Sequence, residues 1–262
     1  MLKILRYSFS DISRSQWSYF YFAFYFIIGF TLLFLSSDVS KAVITLVNII
    51  LVLSPLIGTV FGVIYFYNSK EFTQLLLAKP IKRSTIFIGQ YLGLSLSLSF
   101  SFVLGLGFPF LFYGIFRSPA IGDFFSLLIS GVFLTFIFTA LAFNIALSNE
   151  NKIKGFAAAI LLWLLLAVIY DGLFLISLMV FNEYPLEKVS LIATALNPID
   201  LSRILVLLKL DISALLGYTG AVFQKFFGGG LGMLISIFIL MLWTVLPILR
   251  IMQKIEKRIF NE

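Results

Sequence analysis

Six long apolar blocks, divided mostly by short polar connections, run through this sequence. At 1.5 Å per residue, such blocks are long enough to cross a hydrocarbon core about 30 Å thick as helices. Open strands are excluded for them, because strand N–H and C=O groups would go unpaired in lipid. This holds even for Leu94–Phe102, where Ser and apolar residues alternate as they would in a half-buried strand. The expected fold is therefore all-α: a polytopic membrane protein with six transmembrane helices in one domain, 1–262. The spans fall at about 17–36, 42–67, 85–113, 121–147, 153–181 and 231–249. Composition agrees, since the chain is 61% hydrophobic and 12% charged, about half the charged share of a soluble protein.

Several chemistries drop out at once. The sequence has no Cys and no His, which removes disulfides, thiolates, imidazole bases and the usual transition-metal ligands. Its five methionines are scattered and read as apolar filling. It has no G-x-x-x-x-G-K-[ST] run to cradle phosphates. One acid well inside the spans, Asp171, is too few for a membrane aspartyl pair. We expect no catalytic residue, no metal and no cofactor in this chain.

The segments around the spans carry more information. In residues 1–16, Leu2, Leu5, Phe9 and Ile12 recur at helical spacing, with Lys3, Arg6 and Arg14 off that stripe. This predicts an interfacial helix ahead of the first span, with Trp17, Tyr19 and Tyr21 at the inner interface. Pro55 and Gly58 sit inside the second span as a kink or a close-approach point. The loop 68–83 is basic and partly amphipathic. Lys70, Lys79, Lys82 and Arg83 oppose Glu71, while Phe72, Leu75 and Leu76 share a helical face. Pro80 stops that helix, and Ser84 or Thr85 is expected to cap the next. The loop reads either as a turn held by membrane lipids or as a helix that docks on a partner.

In the third span Gly89, Gly93, Ser97, Ser101 and Gly105 follow one another every four residues. This small-residue stripe suits close helix packing, within the subunit or between two subunits. Asp171 lies on the order of 24 Å along its helix from Gly155, with no Lys or Arg well inside any span to pair with it. It reads as an interface acid or as a substrate- or proton-linked one. The segment 182–230 is long and apolar, and is expected to be an extracytoplasmic helical region. Asn197 caps a helix that Pro198 starts, and Asp200, Ser202, Arg203 and Lys209 share no clean face. Such a segment folds back on the spans, lies in the interface, or meets a partner.

Charge sets the expected orientation. With both termini inside, 13 of the 19 Lys and Arg residues fall on the inner side, and four of the other six lie in 182–230. Topology thus accounts for most of the +7 formal charge, and no nucleic acid partner is expected.

This arrangement resembles the permease subunits of ABC-2 type transporters, which pair a surface helix and six spans with a coupling helix between spans two and three. The family's loop order of Glu, Thr, a Leu pair, Pro and Arg is met by Glu71, Thr73, Leu75, Leu76, Pro80 and Arg83, although Phe72 replaces a common Gly. Segments Pro55–Phe72, Asn197–Leu205 and Gly217–Phe223 are similar to the NosY family, permeases for maturation of nitrous oxide reductase. The resemblance implies a bacterial inner-membrane homodimer with both termini cytoplasmic. It implies a cytoplasmic ABC ATPase dimer holding ATP and Mg, and a periplasmic β-helical NosD-like partner. It makes Lys70, Glu71, Phe72, Leu75, Leu76 and Arg83 the ATPase-coupling residues. It makes Asn197, Pro198, Asp200, Arg203, Tyr218 and Phe223 the outer partner contact. An ABC-2 exporter of lipid, drug or polysaccharide and a non-transporting anchor are the competing readings.

Overall fold

Each apolar block forms a helix, and its ends fall where a side chain or a backbone conformation can close them. The chain is described here from a computed structural model covering residues 2–36, 38–181, 187–209 and 230–259. In chain order the helices are α1 (Leu2–Ser13), α2 (Gln16–Ser36), α3 (Val39–Asn68), α4 (Lys70–Leu77), α5 (Arg83–Phe112), α6 (Ile121–Ser148), α7 (Lys152–Leu164), α8 (Tyr170–Val180), α9 (Glu187–Leu196), α10 (Pro198–Lys209) and α11 (Gly230–Ile259). A π-turn, Leu165–Ile169, joins α7 and α8. Among the described residues there is no strand, and the protein is an all-α polytopic membrane protein.

Among the described residues, six elements are long and apolar enough to span a membrane: α2, α3, α5, α6, the α7–α8 unit and α11. Asp38 caps α3 by accepting from the Ser40 N–H at 2.9 Å. Asn151 caps α7 by accepting from the N–H groups of Ile153 and Lys154. Gly114, at φ 76°, turns the chain after α5 in a conformation few other residues adopt. The expected cap of α5 is corrected. That helix starts at Arg83 with Lys82 at the cap position and no capping side chain, so the hydroxyls of Ser84 and Thr85 already lie inside its first turn.

α3, α5 and α6 form the centre. Gly58 meets Thr135 and Thr139, and Gly62 meets Ala142, bringing the α3 and α6 backbones close together just past Pro55. The α6 span window is 67% buried, against 28% for α2, 22% for α11 and 11% for α7–α8. Those three spans form the periphery, and their outward apolar faces suit lipid. The end carrying α4, the α6–α7 connection and the last turns of α11 gathers most of the basic residues, and is called the basic end below.

The small-residue stripe on α5 is filled within the chain. Gly89 faces Ile4, Gly93 faces Ser8, and Gly105 faces Phe22 and Tyr25. Ser97 and Ser13 hydrogen-bond at 3.0 Å, and Ser101 and Ser18 at 2.7 Å. The two series rise together, so α1 and then α2 run alongside α5 in the same direction. This also corrects the expected packing face of α1. Ile4, Ser8 and Ile12 are its buried residues, while Leu2 is exposed. Serine suits that face because α5 offers matching hydroxyls and no side-chain bulk.

Candidate functional site

Two places combine an unusual backbone with convergent polar groups: the α4 turn at the basic end, and the α9–α10 hairpin.

α4 has only eight residues, too few to be stable alone. Its ties to the bundle are specific. The Thr73 hydroxyl donates to Ser69 O at 2.8 Å and accepts from Gln90 Nε2 of α5 at 2.8 Å. Phe72 stacks on Tyr7 of α1 with ring centroids 4.7 Å apart. Behind the helix lies a cavity of about 350 Å³, bordered by Lys70, Thr73, Leu77, Arg83, Asn149 and Ile255. The expected docking face of Phe72, Leu75 and Leu76 is therefore split. Phe72 already has an aromatic partner, Leu76 is half-buried, and Leu75 is 70% exposed, with Lys70 and Glu71 exposed on the preceding turn. Tyr7 and Gln90, which with Thr73 link α4 to the spans, were not singled out in the sequence. Their one signal was a polar Gln90 inside an apolar block.

The hairpin is the larger departure. α9 and α10 meet at 110° and together are long and apolar enough to count as one broken span or a re-entrant loop. The bend is Asn197-Pro198. Asn197 caps α10, as expected, by accepting from the Ile199 N–H at 3.1 Å, and Pro198 occupies a first-turn position that needs no N–H. The same Asn197 amide donates to Leu166 O in the π-turn at 2.9 Å and to Asp200 Oδ2 at 2.8 Å. A widened turn leaves a carbonyl open to an outside donor, and Asn197 supplies it.

A helix ending inside a membrane leaves carbonyls that water cannot reach. Tyr170 donates its hydroxyl to Ala193 O at 2.6 Å, and Trp243 donates its indole N–H to Ala195 O at 3.0 Å. The tip of the hairpin is thus held by α8, α11 and the π-turn together.

Two expectations are overturned here. Asp171 was read as having no cation within reach, yet Arg203 donates to Asp171 Oδ2 at 2.9 Å and to Asp200 Oδ1 at 3.2 Å. The error was to count Arg203 as an outer-loop charge, whereas α10 folds back onto α3, α6 and α11, which brings Arg203 to Asp171. The outer-contact assignment also changes. Asn197, Pro198 and Asp200 are buried within the chain, and Arg203 is occupied by its two acids. These four residues anchor the hairpin, and of them Arg203 keeps part of its side chain, 25%, exposed. Tyr218 and Phe223 lie outside the described residues.

No group of three or more His, Cys, Asp or Glu among the described residues is placed to hold a metal ion. A scan against protein-family models finds no match, and a search of curated proteins finds none.

Proposed function

We propose that this chain is the permease subunit of an ABC-2 type transporter, working as a homodimer on a cytoplasmic ATPase dimer that binds ATP and Mg. The observation that carries the reading is the mounting of α4. A short helix between the second and third spans shows an exposed leucine and flanking charges outward, is tied inward at two points, and has a cavity behind it. A lipid-facing turn needs none of these. In this reading the basic end faces the cytoplasm of a bacterial inner membrane, in keeping with its share of Lys and Arg.

Force then has a route. Closure of the ATPase dimer presses on Leu75 and the charges beside it. Phe72 passes the push to Tyr7 of α1, and Thr73 passes it to Gln90 of α5. Because the stripe joins α1 and α2 to α5, the three tilt as one body. Catalysis of ATP hydrolysis belongs to the partner.

The finer proposal is service to the copper–sulfur centre of periplasmic nitrous oxide reductase, with a NosD-like β-helical partner at the opposite end. Its support is the resemblance of segments 55–72, 197–205 and 217–223. A mild-detergent pull-down of the tagged chain from its native host tests both levels. An ATPase with a secreted β-helical protein supports the finer proposal. An ATPase alone leaves an exporter of another cargo. Capture of no ATPase, with tag and membrane fraction intact, removes the permease reading. Leu75→Asp is expected to lose the ATPase while the chain stays folded.

A further inference from the structure

A groove bordered by α6, α7 and α11 plays no part in the roles above. It encloses about 860 Å³. Its wall is apolar along Leu161, Leu162, Leu165, Leu242, Trp243 and Leu246. α7–α8 and α11 are the two least covered spans, so the groove opens where lipid lies. At its basic end stand Arg250 and Lys254. Lys254 Nζ donates to Asn144 O at 3.0 Å and to Ser148 Oγ at 2.6 Å, which fixes a cation against the C-terminal turn of α6. Arg250, one turn nearer the membrane centre on the same helix, is exposed. Asn144 also lines the groove. Its amide nitrogen donates to Ala140 O and Pro247 O, while its buried Oδ1 has no hydrogen-bond partner among the described residues.

An apolar channel with no charge would take any acyl chain. This one ends in two cations, of which Arg250 is exposed. We propose that the groove binds one anionic phospholipid from the leaflet at the basic end. Its tail lies between α7 and α11, and its phosphate lies beside Arg250 and Lys254. Charge complementarity selects the occupant, because a zwitterionic lipid brings its own cation beside the phosphate and an apolar protein surface brings no anion. This site does not depend on the transporter reading.

Trp243 lines the groove and reports on its occupant. The full chain carrying Trp17→Phe and Trp163→Phe keeps Trp243 as its single tryptophan. In mild detergent it is titrated with brominated phosphatidylglycerol and, separately, brominated phosphatidylcholine. Saturable quenching by phosphatidylglycerol is expected at roughly 25-fold lower concentration, about fivefold per cation. Arg250→Gln lowers that preference to about fivefold. Ala158→Phe, which narrows the groove without touching a charge, removes the saturable phase for both lipids. Equal quenching by the two lipids in the parent chain overturns the proposal. So does a full preference retained in both variants. Quenching by neither lipid, as when a second copy of the chain covers the groove, overturns it as well.

Discussion

Arg203 stands between two carboxylates, 2.9 Å from Asp171 and 3.2 Å from Asp200, and this makes its removal unlike the removal of either acid. Arg203→Leu leaves two acids facing each other in apolar surroundings. Losing one partner of a buried ion pair costs about 3–5 kcal/mol. The side chains of Arg203 and Asp171 are 25% and 28% exposed, which draws the expected cost to the lower end, about 3 kcal/mol. Asp171→Asn is milder. Arg203 keeps Asp200, and the new amide oxygen still accepts, so the loss is about 1 kcal/mol. The double variant Asp171→Asn/Arg203→Leu relieves part of the repulsion and is expected to be about 1 kcal/mol more stable than Arg203→Leu alone. For a chain of this size each kcal/mol shifts Tm by about 2–4 °C. Thermal unfolding of the purified chain in mild detergent should therefore fall by roughly 6–12 °C for Arg203→Leu and roughly 2–4 °C for Asp171→Asn. Equal small losses for the two single variants, with an additive double, would refute Arg203 as the cation both acids share.

Other outcomes follow from the same geometry. A Cβ on Gly93 would lie 2.5 Å from Ser8 Cβ and 3.0 Å from the Phe9 backbone N, whereas one on Gly107 meets nothing within 4 Å. Gly93→Ala should therefore lower stability by about 1–3 kcal/mol, and Gly107→Ala on the same helix should raise it by up to about 1 kcal/mol, both read by thermal unfolding. Asn197→Ala removes a cap and the donor to Leu166 O, together about 2–4 kcal/mol, and amide exchange in α10 should accelerate. If α4 receives the ATPase, Gln90→Leu should leave ATPase capture intact yet reduce ATP-driven conformational change, measured by spin-label distances across the bundle. An unaltered response would show that Thr73–Gln90 carries no force.

The six spans were legible because each is an apolar run long enough to cross a bilayer, and lipid permits few other structures for such runs. α4 was legible too, with the stop at Pro80, but the direction of each side chain was not. Helical spacing groups Phe72 with Leu75 and says nothing about Tyr7, some 65 residues earlier, which claims Phe72. The stripe on α5 was visible by its period of four. Its partner was hidden because Ser8, Ser13 and Ser18 look like surface serines until α5 stands beside them. The hairpin was illegible for a different reason. α9 and α10 have 10 and 12 residues, each too short to read as a span, and Lys188, Asp200, Arg203 and Lys209 make the stretch look extramembrane. Asp200 and Arg203 pair locally, three residues apart on α10, but their pairing with Asp171, 32 positions from Arg203, leaves no local signature.

The contacts between the N-terminal helices and α5 also impose an order in time. Ser13 and Ser97 are 84 residues apart in the chain, and Ser18 and Ser101 are 83 apart. At about 5–20 residues per second, synthesis separates the partners by roughly 4–17 s. For that interval α1 and α2 have left the ribosome with a row of hydroxyls and no groove to receive them, and the serines turn to their own carbonyls four residues back. Insertion of α5 then has to exchange those internal bonds for bonds between helices. A ribosome pause before Gly105 lengthens that wait, and a cell short of insertase capacity should accumulate this chain with its first span exposed to proteases.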